Sequence, residues 1–437
     1  MLQRLQPRRK ASAGTPCAMC YGMSRAMSRV MHRAMNRDAM NRDAMNRQAM
    51  SSRRFHGKGT LVAAVLASFA FASGCSSDPP PEPLATLAEL QQADVQLLRL
   101  WKSNVGEAGR GRFDAVLDGD LIYAANGKGR VSAYAADTGM RRWQRELDKK
   151  IVSGVGFGEG QLYVASTDGR IDALSADSGE PLWQQSSTSE VLAPPAARHG
   201  AVVVRSTNGQ LRVLEPADGS ERWSVSYSPP ALTLNGYGLP LLVAQGVVVG
   251  LDDGNLVALG LDDGRSFWES SLAVPSGRSE VERMVDIDAD VLDDNRAVYA
   301  VSYQGRLGRF EPARGSVQWS VPASSVAGFA LGDSALYLVD ENDRISAHDL
   351  DTGQLLWEQK ALDGRRLGTP ALADERLFVG DGGGILHVID AADGKLRGRA
   401  RVADEEEAIT ARPIVDDGVI YTFGRKGTLA AWRYADL

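Results

Sequence analysis

Three aspartates, Asp286, Asp288 and Asp290, alternate with apolar residues in one short segment of this 437-residue chain. Carboxylate oxygens at such spacing are possible ligands for a hard cation such as calcium. A calcium-binding EF-hand loop, however, needs Gly at its sixth position and Glu at its twelfth. Counted from Asp286, these positions hold Val291 and Ala297. The spacing therefore predicts no metal site in this segment.

Histidines and cysteines offer few other candidates for metal, redox or nucleophilic chemistry. His199, His348 and His387 lie in three different repeats of the pattern described below, without the i, i+4 pairing or the cysteine partners of a metal site. Cys17 and Cys20 form a C-x-x-C pair, but no second pair or strand–helix context supports a redox or zinc site. No nucleophile elbow, phosphate-binding loop or dinucleotide fingerprint stands between a predicted strand and a helix. We therefore predict no catalytic residue, no metal and no cofactor, and we expect the histidines to lie on the surface or to fill strands.

The third cysteine, Cys75, ends a segment with the features of a secretory signal. Residues 50–74 contain three basic residues followed by the apolar run Leu61–Phe71, which is too short to span a membrane. Residues 72–75, ASGC, resemble a bacterial lipobox. That motif implies cleavage before Cys75 and attachment of several acyl chains, which hold a protein stably on a membrane. Because Ser76 follows, we expect an outer-membrane anchor facing the periplasm. An ordinary secreted chain with a chance cysteine is the alternative.

The segments on either side of this signal have biased compositions. Residues 1–50 are rich in Met and Arg, and most of their methionines recur every four or five residues. Such a tract cannot build a core, so we expect either sequence upstream of the true start or a disordered leader. A basic or Met-rich metal-binding tail is the alternative. Residues 75–90 are predicted to form a proline-rich spacer that begins with the lipidated cysteine.

The charge of the chain changes once its N-terminal part is set aside. The whole chain has a net charge of −6, but residues 1–74 hold 13 of the 49 basic residues and only 2 of the 55 acidic ones. Residues 75–437 therefore carry 36 basic and 53 acidic residues, a net charge of −17. Nucleic-acid binding requires basic patches, so an acidic surface of this kind argues against a nucleic-acid partner.

The rest of the chain repeats one unit of strands and tight turns. In its clearest copy, strand 161–166 is followed by a turn at Asp168-Gly169, by strand 170–174, and by a second turn and a third strand that carries Trp183. Alternating apolar residues suit half-buried strands, and Asp-Gly supplies the positive φ angles that tight hairpin turns need. In each full copy the first turn lies fourteen residues before the Trp. The full copies are Gly129–Trp143, Gly169–Trp183, Gly209–Trp223, Gly254–Trp268, Gly305–Trp319 and Asp343–Trp357, and a degenerate copy at Gly384 has Gly398 in place of the Trp.

The repeat length predicts the fold. Successive first turns lie 38 to 51 residues apart, which is typical of β-propeller blades. An eighth first turn, at Gly427, comes too late to be followed by a Trp strand, whereas the segment Leu98–Val105 carries an unclaimed Trp101. Residues 97–437 are therefore predicted to form an all-β fold, an eight-bladed β-propeller of four-stranded antiparallel blades. Its N-terminal strand would close the last blade, which removes the exposed sheet edges of an open ring.

Two insertions interrupt the repeat and are candidates for binding. Segments 227–242 and 276–291 follow the third and fourth Trp strands at equivalent positions, so we expect them to be neighbours on one face of the disc. Long loops on a rigid scaffold often carry binding sites. An apolar tip beside an acidic tip would make a mixed patch suited to docking a protein, although merely elongated loops are the alternative. The tip residues are Leu232 and Leu234 in the first segment and Asp286 and Asp288 in the second.

The sequence also resembles a known family. The A-L-x-x-x-x-G-x-x-x-W endings of the repeats look like pyrroloquinoline-quinone-type propeller repeats. The stretches STNGQLRVLEPADGSERW, PPALTLNGYG, SEVERMVDID and LVDENDRISA more narrowly resemble the outer membrane protein assembly factor BamB family. The resemblance covers Cys75 to Leu437. It implies a non-enzymatic scaffold lipoprotein of the outer membrane that docks on the periplasmic domains of the barrel subunit BamA and assists the folding and insertion of outer-membrane proteins.

The resemblance also implies which residues bind the partner. They are Leu232, Leu234 and Asn235 in the first insertion and Asp286 and Asp288 in the second. An Arg can stand in the family where this chain has Asn235, so a charge-assisted contact would become an ordinary hydrogen bond. Unfolded clients could add to exposed blade edges by β-augmentation. Two other functions stay open: a propeller that binds another envelope partner, and a quinone-dependent periplasmic dehydrogenase. Residues 75–437 lack the adjacent cysteines and the C-x-x-C-H haem motif expected of the dehydrogenase.

Overall fold

The structure is a computed structural model that describes residues 83–90, 93–234, 237–403 and 406–437. The predicted leader, signal, lipidated Cys75 and the first half of the spacer lie outside the described residues, as does Asn235. All the regular secondary structure in the described part is β-strand. Nothing in that part is a helix long and apolar enough to cross a membrane.

The thirty-two described strands form eight antiparallel sheets of four strands each. Blades 1 and 2 contain β2 (Val116–Asp118), β3 (Leu121–Ala125), β4 (Arg130–Ala135), β5 (Arg141–Glu146), β6 (Ile151–Gly158), β7 (Gln161–Ser166), β8 (Arg170–Ser175) and β9 (Pro181–Ser186). Blades 3 and 4 contain β10 (Ala196–Arg198), β11 (Ala201–Arg205), β12 (Gln210–Leu214), β13 (Glu221–Ser226), β14 (Leu241–Val243), β15 (Gly246–Gly250), β16 (Asn255–Gly260) and β17 (Ser266–Ser271). Blades 5 and 6 contain β18 (Leu292–Asp293), β19 (Val298–Val301), β20 (Gly305–Phe310), β21 (Val317–Ala323), β22 (Phe329–Leu331), β23 (Ala335–Val339), β24 (Ile345–Asp349) and β25 (Leu355–Gln359). Blades 7 and 8 contain β26 (Ala371–Ala373), β27 (Arg376–Gly380), β28 (Ile385–Asp390), β29 (Leu396–Arg401), β30 (Ile414–Asp416), β31 (Val419–Phe423), β32 (Thr428–Asp436) and, from the N-terminal end, β1 (Val95–Asn104).

This arrangement confirms the predicted eight-bladed propeller, and the hairpin turns explain its regularity. Gly169, at the first turn of blade 2, has φ +80°, a conformation that is strained for residues with a side chain. Asp343 occupies the same position in blade 6 with φ +72°. Its buried carboxylate accepts hydrogen bonds from the backbone N–H groups of Arg366 and Leu367 at 2.8 and 2.7 Å. The aspartate therefore binds the turn to the start of the next blade, which a glycine could not do.

The tryptophans of the outer strands join each blade to the next. The Nε1–H of Trp143, for example, donates to the carbonyl oxygen of Ala176 in blade 2 at 3.0 Å. A Cβ atom added to Gly179 would lie only 2.7 Å from the Trp143 ring, so the second turn of the next blade must carry a glycine here. Equivalent hydrogen bonds of 2.8–3.0 Å are donated by Trp101, Trp143, Trp183, Trp223, Trp268, Trp319 and Trp357.

The junction between blades 7 and 8 uses the N-terminal strand instead of a tryptophan. β1 pairs with β32 and thereby closes blade 8, as predicted. The backbone N–H of Asp94 donates to the carbonyl oxygen of Arg397 at 3.1 Å. A Cβ atom at Gly398 would lie 2.4 Å from the carbonyl oxygen of Val95. The degenerate repeat therefore has glycine at the Trp position because the chain entering β1 passes over it.

Candidate functional site

The two insertions lie side by side on one face of the ring. The first loop (residues 227–240) joins β13 to β14, and the second loop (residues 272–291) joins β17 to β18. The backbone N–H of Leu239 donates to Oδ1 of Asp290 at 2.9 Å. A Cβ atom at Gly238 would lie 2.6 Å from the carbonyl oxygen of Ala289, so only a glycine permits this approach. The predicted proximity of the two loops is therefore confirmed.

The apolar residues of the first loop rest on the second loop. Leu232 and Leu234 are half-buried and pack against a small cluster formed by Val281, Met284 and Tyr303. The three residues of the cluster are themselves buried. The contact holds the two leucines in place, and each leaves part of its apolar surface accessible to a partner.

The two aspartates expected at an exposed acidic tip are buried instead. Asp286 is 0% exposed and Asp288 is 6% exposed. Oδ2 of Asp286 accepts a short hydrogen bond from the backbone N–H of Leu234. The backbone carbonyl oxygen of Asp286 accepts a hydrogen bond from Tyr303 N–H at 2.8 Å. The expectation of an exposed tip is wrong because the first loop covers this segment and uses a carboxylate as a backbone acceptor.

A third carboxylate joins the buried pair from a turn within blade 4. Asp252 lies in the turn between β15 and β16, and oxygens of Asp252, Asp286 and Asp288 lie within 4.8 Å of one another. The side chain of Arg205, at the end of β11, forms a short ion pair with Asp252. Burial raises the pKa of Asp286 to about 7, with a further contribution from Asp252. Burial and the neighbouring Asp286 raise the pKa of Asp288 well above its usual range.

Asp290, by contrast, belongs to a buried ion pair that crosses the ring. Arg112, which precedes β2 in blade 1, donates from Nη1 and Nη2 to the two carboxylate oxygens of Asp290 at 2.6 and 3.1 Å. Its Nε donates to Asp114 at 2.7 Å, and Nη1 also donates to the carbonyl oxygen of Tyr237 in the first loop at 2.9 Å. Blades 1 and 5 are opposite in an eight-membered ring, so one arginine connects opposite sides of the propeller to the first loop. Burial raises the pKa of Asp114, and Arg112 opposes that shift.

Sequence reasoning did not identify the two arginines of this region. Arg112 is 178 residues from Asp290, and Arg205 is 47 residues from Asp252. Asp252 stands in an Asp-Asp-Gly sequence, which by itself indicates only a turn. No local pattern marks these pairings, because they depend on how the ring closes. The alternating aspartates were the one available signal.

The three histidines lie where the sequence analysis expected them. His199 is exposed in a turn with φ +55°. His348 is in β24, where burial lowers its pKa. His387 is in β28, with Nε2 3.0 Å from Oδ2 of Asp381, and the same oxygen accepts a hydrogen bond from Arg365. None of the three belongs to the acidic cluster beneath the first loop.

The comparisons with known proteins agree on one family. The family model described as outer membrane protein assembly factor BamB matches residues 98–153, 127–359 and 341–436. The protein of that name from Pseudomonas aeruginosa strain PAO1 is 44% identical over 375 residues, which is 85% of this chain and 98% of that protein. The protein of the same name from Escherichia coli K12 is 32% identical, over 83% of this chain and 96% of that protein.

One solved structure that aligns with the chain carries the same family name, and others share only its fold. The crystal structure of BamB from Moraxella catarrhalis aligns with a TM-score of 0.71 at 25% identity, covering 77% of this chain and all of that one. A quinohemoprotein alcohol dehydrogenase from Comamonas testosteroni aligns with a TM-score of 0.63 at 14% identity, covering 77% of this chain and 76% of that one. The likeness to the dehydrogenase is one of fold alone. By its sequence matches over most of its length, the chain belongs to the family of the outer membrane protein assembly factor BamB.

Proposed function

We propose that this protein is a non-enzymatic scaffold of outer-membrane β-barrel assembly that docks on the periplasmic domains of BamA. The observation that carries the proposal is the pair of packed loops on one face of the propeller. They hold Leu232 and Leu234 half-exposed above a buried apolar cluster. The family relatives are named for outer membrane protein assembly, which supports the same role.

Docking would use a surface that is already organised. Fixed loops lose little conformational entropy on binding, so more of the contact energy appears as affinity. Leu232 and Leu234 would bury apolar area against the partner, and Asn235 would add a hydrogen bond to it. Asp286 and Asp288, being buried, would act from below by holding the first loop in shape. They are positioning residues in this proposal, in place of the direct contacts that the sequence analysis expected.

The end of the predicted spacer is held between two blades of the propeller. The backbone of Ala85 forms two hydrogen bonds with the segment that joins blades 6 and 7. Its N–H donates to the carbonyl oxygen of Gly364 at 3.2 Å, and its carbonyl oxygen accepts from Nη1 of Arg365 at 2.6 Å. Residues 364 and 365 lie between the last strand of one blade and the first strand of the next, as both long loops do. Cys75 is ten residues earlier, a reach of at most ~35 Å. A lipid on Cys75 would therefore tether the propeller close to the membrane surface.

A binding titration tests the proposal. The chain from Ser76 to Leu437, which contains all thirty-two described strands, is titrated with the periplasmic domains of BamA from the same organism. The double variant Leu232→Ala/Leu234→Ala should bind about tenfold more weakly, because about 1.4 kcal/mol of apolar contact is lost. The matched control Leu355→Ala/Leu356→Ala changes two exposed leucines of β25 and should bind like the parent.

The other outcomes separate the parts of the proposal. Absence of binding by the parent would reject BamA as the partner and favour another envelope protein. Equal weakening by both double variants would keep the partner and reject these loops as the contact surface.

A further inference from the structure

Asp288 is a buried carboxylate whose oxygens lack partners in the described part of the chain. The residue is 6% exposed, and neither Oδ1 nor Oδ2 has a hydrogen-bond partner there. Oδ1 of Asp286 has none either. Leaving a carboxylate in this condition is costly, because buried charges are normally paired or bound to a metal. Some species that neutralises the group is therefore expected at this position.

The geometry of the cluster fits one hard cation. Oxygens of Asp252, Asp286 and Asp288 all lie within 4.8 Å of one another. Two oxygens bound to the same calcium ion at 2.3–2.6 Å are separated by at most about 5 Å, whereas magnesium at 2.0–2.1 Å requires about 4 Å or less. Carboxylate oxygens are the ligands that both ions prefer. The 4.8 Å limit is compatible with calcium, which also tolerates irregular ligand geometry better than magnesium does.

The net charge and the solvent accessibility of the cluster also favour a divalent cation. Three carboxylates face one guanidinium, that of Arg205, whose short ion pair is with Asp252. When ionised, the group has a surplus of two negative charges, which one divalent cation would balance. The side chain of Asp252 is 13% exposed. Asp252 and Arg205 also line a small cleft beside Tyr227 of the first loop, so this edge of the cluster is accessible from solvent.

We propose that Asp252, Asp286 and Asp288 form a binding site for one divalent cation, with calcium as the preferred ion. The three ligands come from the β15–β16 turn and the second loop. Because Oδ2 of Asp286 also accepts the N–H of Leu234, the bound ion would connect that turn to both loops. The site lacks EF-hand spacing, since its ligands come from a turn within blade 4 and from the loop that joins blades 4 and 5.

The experiment uses the chain from Ser76 to Leu437 alone, so its outcome does not depend on BamA. The protein is treated with chelator, dialysed, and titrated with CaCl₂ or MgCl₂ by calorimetry and by thermal unfolding, at constant ionic strength. We expect saturable binding of one calcium ion, in the range of Kd 10⁻⁴–10⁻³ M that is typical of extracellular calcium modules, weaker magnesium binding, and a higher Tm with calcium. Asp288→Asn should weaken calcium binding at least tenfold.

The matched control is Asp262→Asn, which changes a fully exposed carboxylate of the same blade and should bind calcium like the parent. Asp252→Asn, in a turn, provides a second ligand variant if Asp288→Asn fails to fold, and it should also lose calcium binding.

Three results would overturn the proposal. They are no saturable binding of either ion, an equal effect of the same ionic strength of NaCl, or an equal loss of binding in Asp262→Asn. Any of these would mean that protons alone neutralise the cluster, or that calcium only screens an acidic surface. The docking proposal would stand in each case, because it is tested by a separate titration.

Discussion

Asp288 and Asp290 lie two residues apart in the same buried segment, but their surroundings differ. Asp290 receives two hydrogen bonds from Arg112 and one from the backbone of Leu239. Asp288 has no hydrogen-bond partner in the described part of the chain and shares its surroundings with Asp252 and Asp286. Arg112 neutralises the charge of Asp290, whereas the charge of Asp288 requires a proton or a cation. The comparison separates a carboxylate that builds the ring from one that is available for binding.

The difference follows from which carboxylates the two nearby arginines contact. Arg112 reaches across the ring from blade 1, and all three nitrogens of its guanidinium donate hydrogen bonds, to Asp290, Asp114 and a backbone carbonyl. Arg205 lies near the acidic cluster, but its ion pair is with Asp252. A buried ion pair with good geometry is retained because removing one partner leaves the other uncompensated. The cluster around Asp288 has one guanidinium for three carboxylates.

The largest effect is expected on removing the arginine that crosses the ring. Arg112→Met should lower the free energy of unfolding by about 3–5 kcal/mol, because Asp290 and Asp114 would stay buried without their nearest counter-ion. Chemical denaturation followed by tryptophan fluorescence measures this change. Arg110→Met is the matched control, since Arg110 forms an exposed ion pair with Glu190, and it should cost less than about 1 kcal/mol. Equal losses in the two variants would show that the crossing ion pair is not a structural contact.

The same substitution at the two aspartates should have unequal effects. Asp290→Asn should lower the free energy of unfolding by about 2 kcal/mol, because a charged two-point contact with Arg112 is weakened. Asp288→Asn, measured in chelator, should leave stability unchanged or raise it, because an amide carries no charge that must be buried. The comparison is made by denaturation of both variants in one buffer. A loss in Asp288→Asn as large as that in Asp290→Asn would mean that Asp288 has a stabilising partner after all.

The repeat chemistry made most of the fold predictable. The fourteen-residue interval between turn and Trp fixed the blades, and the unclaimed Trp101 identified the strand that closes the ring. Both long loops follow a Trp strand, so their proximity also followed from the repeat. These features are local or periodic, and a single sequence records such features well.

The burial of the aspartates was not predictable for a physical reason. Alternation of polar and apolar residues indicates a buried face and a wet face when a segment lies on a surface. Here Ile287, Ala289 and Val291 are buried, and so are the aspartates between them. The segment lies beneath the first loop on one side and contacts Arg112 from the far side of the ring on the other. Contacts between such distant parts leave no periodic signal.

The smallest expected effect decides how Asp286 acts in docking. Two explanations differ: the carboxylate contacts basic groups of BamA by its charge, or it holds the N–H of Leu234 and so shapes the first loop. Asp286→Ala removes the acceptor, and Asp286→Asn removes the charge but keeps an acceptor oxygen. If Asp286 shapes the loop, Asp286→Ala should weaken BamA binding about fivefold to tenfold, equivalent to one hydrogen bond of about 1 kcal/mol, and Asp286→Asn should stay within about twofold of the parent.

The titration is run in chelator, so that ligands of the proposed cation site do not enter the result, and at two salt concentrations. A direct charge contact would weaken both variants alike and make the parent's affinity fall with salt, since rim charges are screened. Loop shaping makes the alanine variant weaker than the asparagine variant at either salt concentration. The burial of Asp286 and its short contact with Leu234 N–H favour the second result. That result would assign the docking energy to the two leucines. The aspartates would then act as buried residues that hold the leucines in position.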